Sequence, residues 1–363
     1  MTPARGFEGP RSVKVSETGS LLRLLDRSFA PYAKSGMRAE YPQIYGRMEQ
    51  FPENHRVILH RGSIVAHVGV FPLNFVTPAG RVTAGGIGAV CTGEKYRGKG
   101  LMSDLLGEAV RWMKERDMPL SILWGNRYRY QRFGWEPAGS RYACSFADKA
   151  LPALGGYRLR ASIVGDTDRM IDSLHALHQR MSSRIDMDRE TFLLTIRKVG
   201  RRVWIARDGG RIRAYAVAHE DRWKKKGKAR AGWMVDGWGG SLEGILSIIR
   251  AMLERSGTDY ARCVWPAGRT RIPESVLEAG DAWSSGLEHM GQIRINDLKS
   301  AMTRLGAGSL FNPVRAMGGD GRAQARLLFG PASPANLLSP RIASGALGKR
   351  LPLNLFMEPL DAI

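Results

Sequence analysis

Apolar and polar positions along the first 150 residues change period several times, and each change predicts an element. An alternating run near Val13 predicts a short strand, and residues 21–29 place their apolar side chains at helical spacing. An irregular stretch follows, marked by Tyr32, Tyr41, Tyr45 and Phe51. Residues 56–60 and 64–76 read as two strands turned at Arg61-Gly62, and Pro78-Ala79-Gly80 turns the chain into a third over 81–92, an antiparallel meander. After Gly100 the period lengthens. Leu101, Leu105, Ala109, Trp112 and Met113 share one face of a helix that Pro119 stops. Residues 120–124 predict a short buried strand, and Arg132-Phe133-Gly134-Trp135 open another.

A break at Pro152 and Gly155-Gly156 separates a second segment, which runs through a strand at 157–163, helices over 170–181 and 190–198, strands at 203–207 and 212–219, a basic loop, a strand at 229–235, a helix at 242–255 and a strand at 260–265. The order matches the first segment, an internal duplication. Residues 296–363 begin with a helix over 297–304 and turn Gly-, Pro- and Ala-rich, ending in the apolar run Leu351-Pro-Leu-Asn-Leu-Phe-Met. The pattern therefore predicts an α/β (α+β) chain of three parts, 1–150, 151–295 and 296–363. The first two are each a mixed, mostly antiparallel sheet flanked by helices. The apolar run predicts an end packed against the rest.

Composition narrows the class. With 43% hydrophobic residues, 25% charged residues and nine tryptophans in 363, the chain can bury cores without staples. Cys91, Cys144 and Cys263 are too few and too far apart for a disulfide framework or a zinc site, which predicts a reducing, cytoplasmic setting. No run is long and apolar enough to predict a signal peptide or a membrane span. The 55 basic against 34 acidic residues give a net charge of +21, spread as +9, +8 and +4 over the three parts. Such a surface favours anionic ligands, while the even spread argues against a dedicated nucleic-acid binder, which clusters its basic residues.

The stretch with most chemistry is Gly88-Ala-Val-Cys-Thr-Gly-Glu-Lys-Tyr-Arg-Gly-Lys-Gly-Leu-Met102, a strand that enters a Gly-rich turn and opens a helix. Unpaired N–H groups and the helix dipole at such a place bind phosphate, and Arg97 and Lys99 add full charges. Neither the GxxxxGK[ST] phosphate loop nor the GxGxxG dinucleotide turn is present. Thirty residues on comes Tyr130-Gln-Arg132-Phe133-Gly134-Trp135.

Lys95-Tyr-Arg-Gly-Lys-Gly100 resembles the pyrophosphate loop [QR]-x-x-G-x-[GA] of the GNAT acetyltransferase superfamily, departing at Lys95 and at Gly93-Glu94, where a His-Pro or Ala-Pro pair is common. The Tyr130 element is similar to the Y-x-R-[FY]-G-[FYW] signature of Eis-like (enhanced intracellular survival type) acetyltransferases. Those proteins have tandem GNAT domains, only the first with the loop, and a sterol-carrier-protein-like C-terminal part. The resemblance implies an acetyl-CoA-dependent N-acetyltransferase: catalytic 1–150, degenerate 151–295, reduced C-terminal segment 296–363, no metal. It implies that the backbone of Val90, Cys91 and Thr92 holds the acetyl and pantetheine portions, that Arg97, Gly98, Lys99, Gly100, Leu101, Met102 and Ser103 hold the pyrophosphate, and that Gly125 and Asn126 flank the cofactor. Tyr130 becomes the general acid, a backbone N–H near Cys91 the oxyanion donor, and the carboxylate of Ile363 the base for the amine. The acceptor is a small-molecule or peptide amine, and a homo-oligomer is in keeping with the family.

Other readings stand beside this one. Another tandem-GNAT acyl or aminoacyl transfer would share the fold, and an acyl-CoA sensor or nucleic-acid-associated regulator would use it without turnover. Residues 222–230, six basic in nine, read as a solvated hairpin loop. Cys91 reads as packing rather than a nucleophile, with no histidine near it in sequence. Asp26, Glu40, Glu49 and Glu53 are candidates for a local acidic acceptor pocket.

Overall fold

The computed structural model describes residues 6–225, 228–266, 274–278, 280, 285–317, 319–330, 351–353, 355 and 357. The first half runs β1 (Phe7–Ser12), α1 (Thr18–Phe29), β2 (His55–His60), β3 (Ser63–Thr77), β4 (Gly80–Thr92), α2 (Leu101–Glu115), β5 (Leu120–Leu123), α3 (Arg127–Tyr130) and β6 (Glu136–Phe146). The second repeats that order with β7 (Arg160–Ile163), α4 (Ile171–Gln179), a two-residue β8 (Arg184–Ile185), α5 (Arg189–Ile196), β9 (Arg201–Asp208), β10 (Arg211–Lys225), β11 (Lys228–Gly240), α6 (Leu242–Leu253), β12 (Tyr260–Pro266) and β13 (Gly286–Ile295). Helices α7 (Leu298–Arg304), α8 (Phe311–Ala316) and α9 (Gly321–Phe329) follow.

Periodicity set these elements. On α2, Leu101, Leu105, Leu106, Ala109, Trp112 and Met113 are buried, the stripe that helical spacing requires. Side-chain caps start several helices: Asp188 accepts from Thr191 N, Ser241 from Gly244 N, Asp297 from Ser300 N and Asp320 from Ala323 N. Gly85 lets α2 lie directly on β4, since a Cβ there would come 2.1 Å from the Met113 sulfur.

The strands form one sheet in the order β1-β2-β3-β4-β5-β13-β6-β12-β11-β10-β9-β7, with β8 on β3. Neighbours are antiparallel except β4–β5 and β11–β12, the two pairs joined by the crossover helices α2 and α6. At the centre the halves exchange strands. β13, from the second half, pairs with β5, while β6, from the first, pairs with β12, and β13 and β6 pair with each other. Each half thus lends its last strand to the other.

At that seam Gly139 sits at φ +77°, and a Cβ on it would lie 2.7 Å from the Met290 Cβ. The C-terminal part packs over the same region. Ser140 Oγ donates to the Phe329 carbonyl at 3.1 Å, Leu353 N donates to the Leu328 carbonyl at 2.6 Å, and Leu351, Leu355 and Met357 join a core cluster with Leu120, Ile122, Met290 and Ile293.

Three features differ from the sequence reading. β13 was not foreseen, because Glu288, His289, Gln292 and Arg294 break its apolar pattern. Three of these four bond inside the protein, Glu288 to Arg141, Gln292 to the Gly125 carbonyl and Arg294 to the Phe133 carbonyl. Residues 222–225 and 228–230 are strand, not loop, since the β10–β11 ladder continues to Lys225 opposite Lys228. Residues 131–133 form a helical turn and Gly134 takes φ +92°, so β6 begins only at Glu136. Among the described residues no helix is long and apolar enough to cross a membrane.

Gly139→Ala combines left-handed backbone strain with overpacking against Met290, and should cost about 2–4 kcal/mol. A urea unfolding midpoint clearly below that of the wild type checks this, and an unchanged midpoint would show that the seam can relax around a methyl group.

Candidate active site

β4 and β5 pair only from Ala84 opposite Leu120 to Ile87 opposite Leu123. Beyond that β4 runs on to Thr92, while the other chain turns away at Trp124, whose Nε1–H donates to the Met290 carbonyl at 2.8 Å. Backbone groups of Gly88 to Thr92 on that side are left facing a cleft, an arrangement uncommon for an interior strand. In the same stretch three steps of β4, from Gly88 to Cys91, oppose two of β3, from Gly69 to His67, and Ala89 takes φ +46°. This is a β-bulge, which turns peptide groups out of the ladder and aims them into the cleft.

A buried histidine pair holds the bulge. His67 Nδ1 lies 2.9 Å from the Ala89 carbonyl, and His67 Nε2 lies 3.1 Å from His55 Nδ1. A carbonyl only accepts, so the proton sits on His67 Nδ1, and His67 Nε2 accepts in turn from His55 Nδ1–H. Burial pushes the His67 imidazole down to about 4 and that of His55, with His67 beside it, to about 2, so both are neutral at pH 7.

The turn after β4 builds an anion cradle. Gly98 and Gly100 take φ +76° and +80°, and a Cβ on either would meet no atom within 4 Å, so both backbones are bare toward solvent. The N–H groups of Gly98 to Met102 have no acceptor among the described residues, and Gly100 O caps the helix start by accepting from Ser103 N and Asp104 N. This fits a pyrophosphate: exposed donors at the N-terminus of a 15-residue helix, with Arg97 and Lys99 alongside. A cavity of about 760 Å³ joins these residues to Val90, Cys91 and Thr92, to Ser28, Phe29 and Tyr32 of the first helix region, and to Arg129 and Arg132. Among the described residues no carboxylate lines it. The Glu94 partner of Arg97 is 3.9 Å away and the pair is well exposed, too weak to neutralise the guanidinium.

Tyr130 stands behind the cavity wall. It is 6% exposed and shares a core cluster with Leu101, Leu105 and Trp135, with its ring edge-on to Trp135. Its ring lies over Gly125, where a Cβ would come within 2.7 Å of it. The phenol meets the Arg129 side chain, which does line the cavity, and burial outweighs that cation and raises the phenol above its usual value. Asn126 caps the following turn by accepting from Tyr128 N at 2.9 Å. Second-half residues brace this loop from behind: Gln292 donates to the Gly125 carbonyl at 2.7 Å, and Arg294 donates to the Phe133 carbonyl at 2.9 Å and lies over the Trp135 ring. Glu136, 2% exposed, takes Arg127 at 2.5 Å and Arg326 of α9 at 3.1 Å.

The structure therefore brings together Val90, Cys91, Thr92, Arg97, Gly98, Lys99, Gly100, Leu101, Met102 and Ser103. Gly125, Asn126 and Tyr130 lie beside them, and Ile363 lies outside the described residues. Cys91 is next to a histidine after all, opposite His67 in the ladder, yet burial pushes its thiol up to about 11, which leaves it protonated. Arg129 and Arg132 could have been found from their place in the Tyr130 motif. His55, His67, Gln292 and Arg294 could not, because each acts through a contact distant in sequence. Of the acidic candidates, Asp26 accepts from Met37 N at 2.9 Å and Glu49 pairs with Arg38, so neither is free.

Residues 10–138 match the acetyltransferase (GNAT) domain family. No curated protein matches the chain by sequence. Among solved structures the fold is similar to a GCN5-related N-acetyltransferase from Kribbella flavida (19% identity, TM-score 0.58, 81% of this chain and 73% of that one). A second such protein, from Anabaena variabilis, gives 18%, 0.58, 82% and 75%, and Eis1 from Mycobacterium abscessus gives 13%, 0.54, 81% and 75%. The chain is an acyltransferase with a GNAT acetyltransferase domain in its first half. Its fold is Eis-like over four fifths of its length, and acyl-CoA is the co-substrate that fold uses.

An unfolded imidazole binds a proton near pH 6.5, whereas native His67 resists protonation to about 4. The unfolded chain therefore holds more protons in that window, and stability falls as pH drops from about 6.5 toward 4. Urea unfolding at pH 7.5 and pH 5 should show this loss, and His67→Asn, whose amide N–H can serve the Ala89 carbonyl without titrating, should lose less over the same interval. An equal loss in both proteins would mean that His67 is not held neutral.

Proposed function

We propose that the chain transfers the acetyl group of acetyl-CoA to a primary amine of a small molecule or peptide by direct attack. The chemistry lies in residues 1–150, and residues 151–295 hold no thioester. The observation that carries this reading is the cavity at the splayed end of β4, where acceptor-free N–H groups of Gly98 to Met102 stand among four cations, Arg97, Lys99, Arg129 and Arg132. Arg97 to Ser103 would hold the pyrophosphate, and the open backbone of Val90 to Thr92 would align the thioester, with Gly125 and Asn126 across the cleft. The amine nitrogen attacks the thioester carbon, and an N–H of the bulged strand near Cys91 stabilises the oxyanion. The carbon–sulfur bond then breaks, and Tyr130 gives its proton to the departing sulfur. Its raised pKa keeps the phenol protonated for this step. The attacking nitrogen gives up its proton to water.

The first test is calorimetric titration of acetyl-CoA together with free-thiol release across a panel of amines. Micromolar binding with amine-dependent release is the expected result. Binding without release on any amine would favour an acyl-CoA sensor, and no binding would end the proposal.

Tyr130→Phe should lower kcat by about 10²–10⁴, the usual contribution of a positioned acid, with acetyl-CoA affinity held within about twofold. Parallel loss of both, measured by steady-state kinetics and calorimetry, would make Tyr130 a packing residue.

A further inference from the structure

The second half contains a cavity of about 980 Å³, bounded by α4, the β9–β10 turn and the start of α6. By the repeated order of elements this is the neighbourhood that α1, β4 and the start of α2 enclose in the first half. The turn differs, however. Eight residues, 93–100, separate β4 from α2, whereas Ser241 alone separates β11 from α6, so no backbone cradle forms.

Side chains stand in its place. Arg169, Arg180, Arg207, Arg211 and Arg213 line the cavity, and among the described residues no Asp or Glu does. Arg169 pairs with Asp166 at 3.2 Å and Arg207 donates to the Gly210 carbonyl at 3.3 Å, and arginines nearby are neutralised too, Arg201 by Asp236 and Arg197 by Asp168. Arg180, Arg211 and Arg213, by contrast, make no side-chain hydrogen bond or ion pair among the described residues. The backbone of Arg213 is fixed in place. Its carbonyl accepts from Ser241 N at 2.9 Å, and Gly240, at φ +105°, presses so close that a Cβ would lie 2.3 Å from the same oxygen. Met170, Leu177 and Ile212 give the cavity an apolar side. Guanidinium forks around one concavity match the oxygens of phosphate, and a volume of this size admits a ligand with an apolar body besides.

We propose that this cavity is a second binding site, separate from the acetyl-transfer centre, for a phosphate-bearing small molecule with an apolar body. The ligand is held by arginine side chains where the first half uses backbone N–H groups. A second molecule of coenzyme A and a different phosphorylated compound share this chemistry, and the experiment separates them.

Inorganic pyrophosphate is titrated calorimetrically, at fixed ionic strength, into the full chain, into Arg211→Ser/Arg213→Ser and into Arg97→Ser/Lys99→Ser. The expected result is a binding event that Arg211→Ser/Arg213→Ser weakens at least tenfold and that Arg97→Ser/Lys99→Ser leaves intact, with thermal melts confirming that both variants fold. This readout does not depend on the acetyltransferase reading. Coenzyme A is then titrated: two molecules per chain, falling to one in Arg211→Ser/Arg213→Ser, names coenzyme A as the occupant, and one per chain in both names another phosphorylated compound. Pyrophosphate affinity unchanged within twofold in Arg211→Ser/Arg213→Ser overturns the proposal. So does a variant that loses affinity for a DNA duplex and not for pyrophosphate, since the arginines would then belong to a polyanion surface.

Discussion

The structure depends on a ladder that stops early. β4 and β5 share four residue pairs and then part, while β4 continues through five more residues with one edge open. Peptide groups inside a sheet are normally paired, and leaving them bare costs free energy comparable to lost hydrogen bonds. That cost is tolerable only if the open edge cannot close up and the strand cannot re-register. The bulge at Ala89 prevents re-registering, and His67 of β3, backed by His55 of β2, pins the bulge. Histidines suit this task because a neutral imidazole donates at one nitrogen and accepts at the other, so two in series satisfy a buried carbonyl without burying a charge.

The other wall of the opening is kept apart by the second half. Tyr130, Gly125 and Trp135 belong to the first half, yet Gln292 and Arg294 of β13 bond to the carbonyls that shape their loop, and Arg326 of α9 reaches Glu136. Strand exchange makes this possible, since β13 lies between β5 and β6 and so runs directly behind the loop. A half outside the proposed transfer centre can therefore still be required for it. Its polar strand residues act as supports, and removing one would leave a buried carbonyl without a partner, a larger penalty than the bond itself contributes.

The sequence made the local parts of this legible and the long-range parts invisible. The meander, the crossover helix and the Gly-rich turn between them each lie in one contiguous stretch whose spacing reports its own geometry, and all stand near their expected places. β13 escaped because its alternation is carried by Glu288, Gln292 and Arg294, polar residues that hydrogen-bond inside the protein, so a hydrophobicity pattern reads them as solvent-facing. The exchange of β6 and β13 escaped for a deeper reason: two similar halves offer each last strand two equivalent docking edges, and composition does not choose between them. The choice is made by tertiary fits such as Gly139 against Met290, where only a glycine at positive φ allows the approach.

Charge links the two cavities to the overall excess of +21. The first is ringed by Arg97, Lys99, Arg129 and Arg132, with no carboxylate among the described residues. At a separation of about 10 Å in water each such cation repels a protonated amine by about 0.4 kcal/mol before screening, so the four together disfavour it by roughly tenfold. With the proposed cofactor in place its phosphates cancel those cations, and the repulsion disappears. Electrostatics alone thus favours cofactor first and amine second. An amine whose scaffold also bears an anionic group would be repelled less by the empty site, so the charge pattern that builds the cofactor site enforces the order most strongly on acceptors that carry only positive charge.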